Sequence, residues 1–328
     1  MTKPLSTVVD LVRQYGGVVS HAALDPTHST FRAPGIDGLI SYLPVCRCAV
    51  VQGDPVCAPA HKAQLADAFA DYCADKGWSI LYVTATAGMQ AYAHERGYVS
   101  MEVADLLVAD PQNDPEAGPE GRHLRQHLNH ARRAEVKVSE YKGEPDAQFE
   151  AETQAMCASW LRGRHGLQMY LGRPRLFDDR VGRRWFIAEQ AGKVVGFLSM
   201  LRVGCTECPN LINIVFSSPA APLYTNELMV ATALQALREE GVRSICLGVG
   251  PLEKLGRIEG CGATAEWLSR KLYYLSSTKL MHQYDKTVFW EKFRVAQREP
   301  LYLLFQSSPI GLREIYALLR GLHFSMKG

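Results

Sequence analysis

Leu211-Ile-Asn-Ile-Val-Phe216 is an apolar run with one polar residue, Asn213, inside it. The turn Ser217-Ser-Pro-Ala-Ala-Pro-Leu-Tyr-Thr225 follows, then a helical stretch from about Asn226 to Glu240, an apolar run from Val242 to Leu247, and Gly248-Val-Gly-Pro-Leu252. Short apolar runs bounded by turn residues predict strands, and the stretch between them predicts a crossover helix. A strand whose exit turn opens a helix, followed by a strand with a Gly-rich exit, makes a cleft with backbone amides pointing into it.

Upstream of this unit, Arg184–Ala188 and Val194–Val203 predict a hairpin closed by Gln190-Ala-Gly-Lys193. Before it come a helix using Phe149, Met156, Cys157, Trp160 and Leu161, and a basic, Gly-containing loop from Arg162 to Arg175. Downstream are a helix with Trp267, Leu268, Lys271, Leu272 and Leu275, the strand Leu301–Phe305 and a closing helix from Pro309 to Leu322. The first half reads similarly. Leu5, Val8, Val9, Val12 and Tyr15 recur at helical spacing, and Gly38–Leu43 with Cys46–Val51 form a hairpin ending at Gly53-Asp-Pro55. A helix over 60–76, a strand over 79–83, a short helix over 88–96 and a long strand over 98–108 follow. Asp110–Gly121 reads as a loop and Tyr141-Lys-Gly-Glu-Pro145 as a linker. The expected fold is α+β: two tandem domains of similar layout, residues 1–140 and 145–328, each with a mixed, mostly antiparallel sheet flanked by helices.

The 328 residues suffice for two domains of ordinary size, and 47% hydrophobic with 21% charged residues is ordinary for a soluble globular protein. With 36 basic and 34 acidic residues the net charge is +2, so a nucleic-acid surface has to be local rather than global. No apolar run approaches the ~18 residues of a membrane span and the first residues do not form a signal peptide, so a cytoplasmic protein is expected. Nine cysteines, an odd number, fit reduced thiols. Cys205-Thr-Glu-Cys208 is half a zinc site without a second close pair, and no metal is expected. The local basic surface is Arg122-His-Leu-Arg-Gln-His-Leu-Asn-His-Ala-Arg-Arg133, which puts Arg122, Arg125, Asn129, Arg132 and Arg133 near one helix face. Such a face is either simply solvated or binds phosphates.

Five segments in order resemble one family. Gly53-Asp-Pro55, the basic helix Leu124–Arg133, the hairpin Trp185–Phe197, Leu247-Gly-Val-Gly-Pro-Leu252 and Phe289-Trp-Glu-Lys-Phe293 are similar to motifs of the catalytic domain of phosphatidylglycerol lysyl/alanyltransferases. The resemblance covers nearly the whole chain. It implies a tandem of two acetyltransferase-like (GNAT) folds, the second of which transfers an amino acid from aminoacyl-tRNA to a lipid hydroxyl. This chain is expected to be a divergent member without the membrane-embedded half of many relatives.

Departures from the family cluster in the opening stretch. Where the family reads Asp-Leu-Met-Arg, this chain has Asn213 at the Asp position and Phe216 at the Arg position. An Asn amide accepts no proton at neutral pH, and loss of the Arg removes a bidentate partner for a lipid phosphate. Both changes favour a small-molecule acceptor, with an amine or hydroxyl nucleophile, over phosphatidylglycerol. The turn after the strand has two prolines and no glycine, which speaks against acyl-CoA, whose pyrophosphate normally sits on Gly-rich amides.

The roles that follow are these. Asn213 orients the acceptor or the α-amine, Glu227 binds that amine or relays a proton, and amides near Gly248 and Gly250 stabilise the oxyanion. His282 is either a general base or a structural residue, and Tyr284 or Lys286 reaches the leaving ribose hydroxyl. Phe216, Trp290 and Lys292 complete the substrate surface. Arg122, Arg125, Arg132, Arg133, Arg162, Arg164, Arg173 and Arg175 are the expected tRNA contacts. The expected activity is aminoacyl-tRNA-dependent aminoacyl transfer, with aminoacyl-tRNA as donor, no cofactor and no DNA partner. Phosphatidylglycerol aminoacylation, acyl-CoA-dependent N-acylation and a non-catalytic binding protein are the alternatives.

Overall fold

The computed structural model describes residues 7–142, 146–163, 166–168, 176–177, 180–204, 209–279, 284–306, 311–322 and 325–327. The first half runs α1 (Val8–Tyr15), β1 (Ser29–Phe31), β2 (Gly38–Val45), β3 (Cys48–Gln52), β4 (Val56–Cys57), α2 (Lys62–Asp75), β5 (Ser79–Ala85), α3 (Ala87–Glu95), β6 (Val99–Ala109), α4 (Arg122–Arg133) and β7 (Lys137–Tyr141). The second runs α5 (Ala147–Gly163), β8 (Gly166–Gln168), β9 (Arg183–Gln190), β10 (Lys193–Arg202), β11 (Asn210–Ser217), α6 (Thr225–Glu239) and β12 (Ile245–Pro251). It closes with β13 (Ile258–Glu259), α7 (Ala263–Lys279), α8 (Tyr284–Glu291), β14 (Val295–Phe305), α9 (Leu312–Gly321) and β15 (Ser325–Lys327).

Local chemistry explains the predicted elements. The β2–β3 hairpin turns on Cys46 and Arg47, and β9–β10 on Ala191 and Gly192, each pair at positive φ as a two-residue turn between twisted strands requires. Helix α6 is buried nearly all round, and its alanines allow close approach to the sheet. It stops where Gly241 adopts φ +75°, with the Gly241 N–H donating to the Arg238 carbonyl and the Val242 N–H to that of Leu237. Gly53-Asp-Pro55 is a structural lock: the Asp54 carboxylate accepts from the Thr86 amide (3.0 Å) and hydroxyl (2.7 Å) at the start of α3 and from Lys62 (3.1 Å) on α2.

The fold is α+β with mixed, mostly antiparallel pairing as expected, but among the described residues the strands of both halves join in one 13-stranded sheet rather than two. Its main path runs β1-β2-β3-β5-β14-β6-β12-β11-β10-β9-β7. Strand β14, from the end of the chain, lies between β5 and β6, while β7 forms the far edge beside β9. Each half contains a strand–helix–strand unit with parallel strands, β3–α2–β5 and β11–α6–β12. They differ in one respect that positions the site. Strands β3 and β5 pair from Cys48–Ser79 through Gln52–Val83, and the Gly53 N–H continues the ladder to the Val83 carbonyl at 2.8 Å. Strands β11 and β12 pair only at Leu211 and Cys246. The first unit is zipped shut and the second opens.

Gly248–Pro251 is strand, not the exit turn that its glycines and proline predict. It pairs with Leu107–Ala104 of β6 through a bulge at Leu247, with Gly248 at φ +133°. Glycine inside a strand commonly marks such a bulge. Strand β7 has no clear sequence signal: Lys137-Val-Ser-Glu-Tyr141 is largely charged or polar, as suits an exposed sheet edge.

Candidate active site

The gap between β11 and β12 has its polar wall on β11. Phe197 pairs with Phe216, and Ser199 with Ile214, but the register then slips so that Met200 faces Ile212. Asn213 is the extra residue of that β-bulge, half-buried at the point where β11 leaves β12. Bulges re-aim side chains, and here the re-aimed one is an amide inside an otherwise apolar run.

The turn Ser217–Tyr224 brings the chain to the start of α6. The Ser218 N–H donates to the Val195 carbonyl (2.8 Å), Ala220 to the Ser218 hydroxyl (3.3 Å), Ala221 to the Ser218 carbonyl (2.9 Å) and Thr225 to the Pro222 carbonyl (3.3 Å). Pro219 and Pro222 have no N–H to give. Four amides of a stretch that would cradle a pyrophosphate in a Gly-rich turn are thus bonded within the fold, and two positions have none.

Glu227 stands in the first turn of α6, where a carboxylate is favoured by the helix dipole. Its side chain is 10% exposed and its Oε1 accepts from Lys292 Nζ at 2.8 Å, the lysine being 28% exposed. Lys292 directly follows α8, whose Trp290 packs half-buried against Phe289 and Phe293, with the lysine ammonium 5.5 Å over the Phe289 ring. Glu227 and Lys292 are therefore brought together, with Trp290 on the aromatic cluster beside the lysine. Gly248 lies on the opposite wall, and a Cβ there would meet nothing within 4 Å, so its missing side chain leaves open space. At Gly250 a Cβ would lie 2.9 Å from Leu107 Cδ1, a close-packed position rather than an open one.

Two residues of this corner escape the sequence reading. The His127 ring of α4 stacks on Tyr224 at 3.8 Å and 5°, with His130 edge-on at 5.6 Å. Tyr224 precedes α6 in the left-handed conformation, φ +68°, which a bulky residue adopts only when its surroundings hold it. His127 Nδ1 is buried with no hydrogen-bond partner among the described residues. Burial, and then the Lys292 ammonium, hold its pKa below the ordinary value despite the opposing pull of Glu227. The available signal is the spacing of His123, His127 and His130, which share one side of a helix.

Phe216 is corrected. It is fully buried, packed between Trp160 of α5 and Phe197 of β10 on the face away from α6, and has no surface to offer a substrate. Alternation after the bulge sends its side chain into that cluster with Ile214. The basic face divides. Arg122 and Arg133 of α4 and Arg162 of α5 are exposed, whereas Arg125 donates to the carbonyls of Gly118 (2.8 Å) and Glu116, and Arg132 pairs with the Glu116 carboxylate at 3.4 Å. Tyr284 and Lys286 belong to the first turn of α8, but their side chains lie outside the described residues. His282, Arg164, Arg173, Arg175 and the Cys205–Cys208 pair also lie outside them. Among the described residues no cluster could hold a metal ion, and no helix is long and apolar enough to cross a membrane.

Comparison with known proteins agrees with this architecture. The L-PGS structure from Bacillus licheniformis superposes with a TM-score of 0.77 at 16% identity, covering 96% of this chain and 93% of that one. The C-terminal domain of a putative lysylphosphatidylglycerol synthetase from Agrobacterium fabrum gives 0.76 at 17% identity, covering 95% and 93%. At these identities the likeness is one of fold. In sequence, the lysylphosphatidylglycerol biosynthesis bifunctional protein LysX of Mycolicibacterium vanbaalenii is 28% identical over 246 residues, 69% of this chain and 22% of that protein. LysX of Mycobacterium tuberculosis (strain F11) is 28% identical over 240 residues, 66% of this chain and 20% of that protein. This chain thus spans about a fifth of the length of these curated relatives. The family profile "Phosphatidylglycerol lysyltransferase, C-terminal" matches residues 10–280, and the chain belongs to that family.

Proposed function

We propose that this chain is an aminoacyl-tRNA-dependent aminoacyltransferase that moves an amino acid from charged tRNA to a small-molecule acceptor carrying an amine or hydroxyl. The observation that carries the reading is the opened β11/β12 gap beside a turn without glycine, four of whose amides are bonded within the fold. That gap admits an acyl ester, and the turn offers little to the pyrophosphate of an acyl-CoA donor. Asn213 at the bulge orients the acceptor. Glu227, held at one oxygen by Lys292, keeps the other for the α-ammonium of the aminoacyl group. Backbone amides of β12 near Gly248, where no side chain intervenes, stabilise the tetrahedral oxyanion.

The 3′ end of tRNA reaches this corner past α4, whose exposed Arg122 and Arg133, with Arg162 of α5, supply phosphate contacts. Charged tRNA as donor places the reaction in the cytoplasm. Asn213 in place of the family's Asp supports the small acceptor. Phe216 adds nothing to that choice, since it is core. Family membership supports phosphatidylglycerol as the second reading.

The test incubates the purified chain with tRNA charged with labelled amino acids in separate reactions containing a small-amine mixture, phosphatidylglycerol vesicles, or acetyl-CoA with the same amines. Transfer from tRNA to a small amine is the expected result. Efficient labelling of the vesicles alone would replace the acceptor, and acetylation without use of charged tRNA would overturn the donor.

A further inference from the structure

Resting on the aminoacyl-transfer reading, one proton remains unassigned. The attacking nucleophile must lose a proton, Asn213 cannot take it, and Glu227 is taken up by Lys292 at one oxygen and, in this reading, by the α-ammonium at the other. A carboxylate from the first half of the chain lies on the same face of the sheet. In the β6–β12 ladder Leu107 faces Gly248 and Asp105 faces Gly250. Paired residues of antiparallel strands project to one side, and residues two apart share it. The near-contact of a Gly250 Cβ with Leu107 identifies that side as the one where Leu107 packs with Leu247, Met229 and Phe293, beneath α6 and the end of α8.

The β12 positions nearest Asp105 on this side are glycines; Leu107 of β6 covers Gly250, and the open space begins beyond it at Gly248. Its side chain is 14% exposed, sheltered but reachable. Its partner is Arg298 of β14, with Nη1 to Oδ2 at 3.7 Å, and that guanidinium also pairs with Glu291 at the end of α8. The cation is shared and distant. Glu102 on β6 adds like charge. Burial raises the Asp105 pKa above the ordinary carboxylate value against the pull of Arg298, and Glu102 adds to the rise.

We propose that Asp105, contributed by the first half of the chain, is the general base of the transfer and restores the proton acceptor that Asn213 no longer provides. In the step, the acceptor nitrogen or oxygen attacks the ester carbonyl carbon of aminoacyl-tRNA and its proton passes to the Asp105 carboxylate. The tetrahedral intermediate collapses with cleavage of the bond to the ribose oxygen. The proton is returned to that oxygen as it leaves, so the carboxylate ends as it began and deacylated tRNA departs with a free hydroxyl.

The test compares wild type, Asp105→Asn, Asp105→Glu and Arg298→Gln for transfer from charged tRNA between pH 5 and 9, with thermal melts and charged-tRNA binding measured in parallel. Asp105→Asn is expected to lower kcat by about 100-fold or more, the usual worth of a general base, with charged-tRNA KM nearly unchanged and the acid limb of the pH profile lost. Asp105→Glu should recover part of kcat. Arg298→Gln removes the cation that favours the ionised form, so the acid limb should move to higher pH. Folded Asp105→Asn with near wild-type kcat and an intact acid limb overturns the proposal while the aminoacyl-transfer reading stands. If Asp105→Asn does not fold, Arg298→Gln decides: an unmoved limb overturns the proposal. A wild-type protein that transfers to no acceptor overturns the functional reading, and this inference with it.

Discussion

At the scale of single residues the site is a set of compromises with burial. Glu227 and Lys292 form a pair that is sheltered but not sealed. Lys292→Met leaves a nearly buried carboxylate without its cation. The ~3–5 kcal/mol cost of breaking a fully buried pair is reduced by the exposure of the lysine, to about 1–2 kcal/mol. Aminoacyl transfer should fall far more than this stability loss explains, since the carboxylate that receives the α-ammonium loses its fixed position. Melting curves with rates at saturating charged tRNA check both parts, and unchanged rates would remove Glu227–Lys292 from the site. Gly248→Val is the complementary change. It puts a branched side chain at φ +133° and fills the open space, so a stability loss of about 1–3 kcal/mol should accompany loss of transfer. His127 gives a pH-dependent outcome. Its folded pKa is depressed, chiefly by burial and then by Lys292, so the unfolded chain takes up the proton first as pH falls. Its contribution is complete above the unfolded value of about 6.5 and is lost as pH drops through the folded value. His127→Phe keeps a ring for the stack on Tyr224 and should narrow the difference in melting temperature between pH 7.5 and pH 5.5.

At the scale of elements, α4 shows why a helical wheel overcounts binding residues. Its five-residue basic face is visible in sequence, but Arg125 is bound to loop carbonyls and Arg132 to Glu116, partners with no periodic signature. Arg122→Glu and Arg133→Glu should weaken charged-tRNA binding and flatten its salt dependence by about one slope unit for each phosphate no longer neutralised, with melting temperature little changed. Arg125→Ala should instead lower the melting temperature by freeing the loop over 116–118. Filter binding over a salt series with parallel melts separates the two classes, and equal behaviour would show that the wheel alone was right. Hairpins and amphipathic helices are readable because their periodicity and turn chemistry are local. Two elements are not. Gly248–Pro251 has turn composition yet is held as strand by β6, and Asn213 owes its place to a slip against Ser199 and Met200 that no property of Asn213 announces. Phe216 is misplaced for the same reason, because a bulge reverses which residues face the cleft.

At the scale of the whole molecule, the similar layout of the halves is readable, but their pairing is not, because pairing between strands far apart in the chain leaves no local pattern. Strand β14 is the decisive case. It lies between β5 and β6, so the first half completes its sheet with a strand from nearly 200 residues further along the chain. Leu301, Leu304 and Phe305 of β14 are buried, and at roughly 1.5–3 kcal/mol for each large apolar side chain their burial contributes about 5–9 kcal/mol. That is comparable with the entire ~5–15 kcal/mol stability of an ordinary domain. Residues 1–142 expressed alone keep α2, α3 and the zipped β3–β5 pair but leave the facing ladders of β5 and β6 unpaired. Unpaired strand edges associate, so this fragment should be soluble only as aggregates or show no cooperative melt. Adding a peptide of residues 293–306 should restore some protection of the β5 and β6 amides in hydrogen exchange. A fragment that melts cooperatively without β14 would show that the first half is self-sufficient. The expected result instead makes β14 a condition for the sheet that carries Asp105, and ties the open β11/β12 gap to the fold of the half that has none.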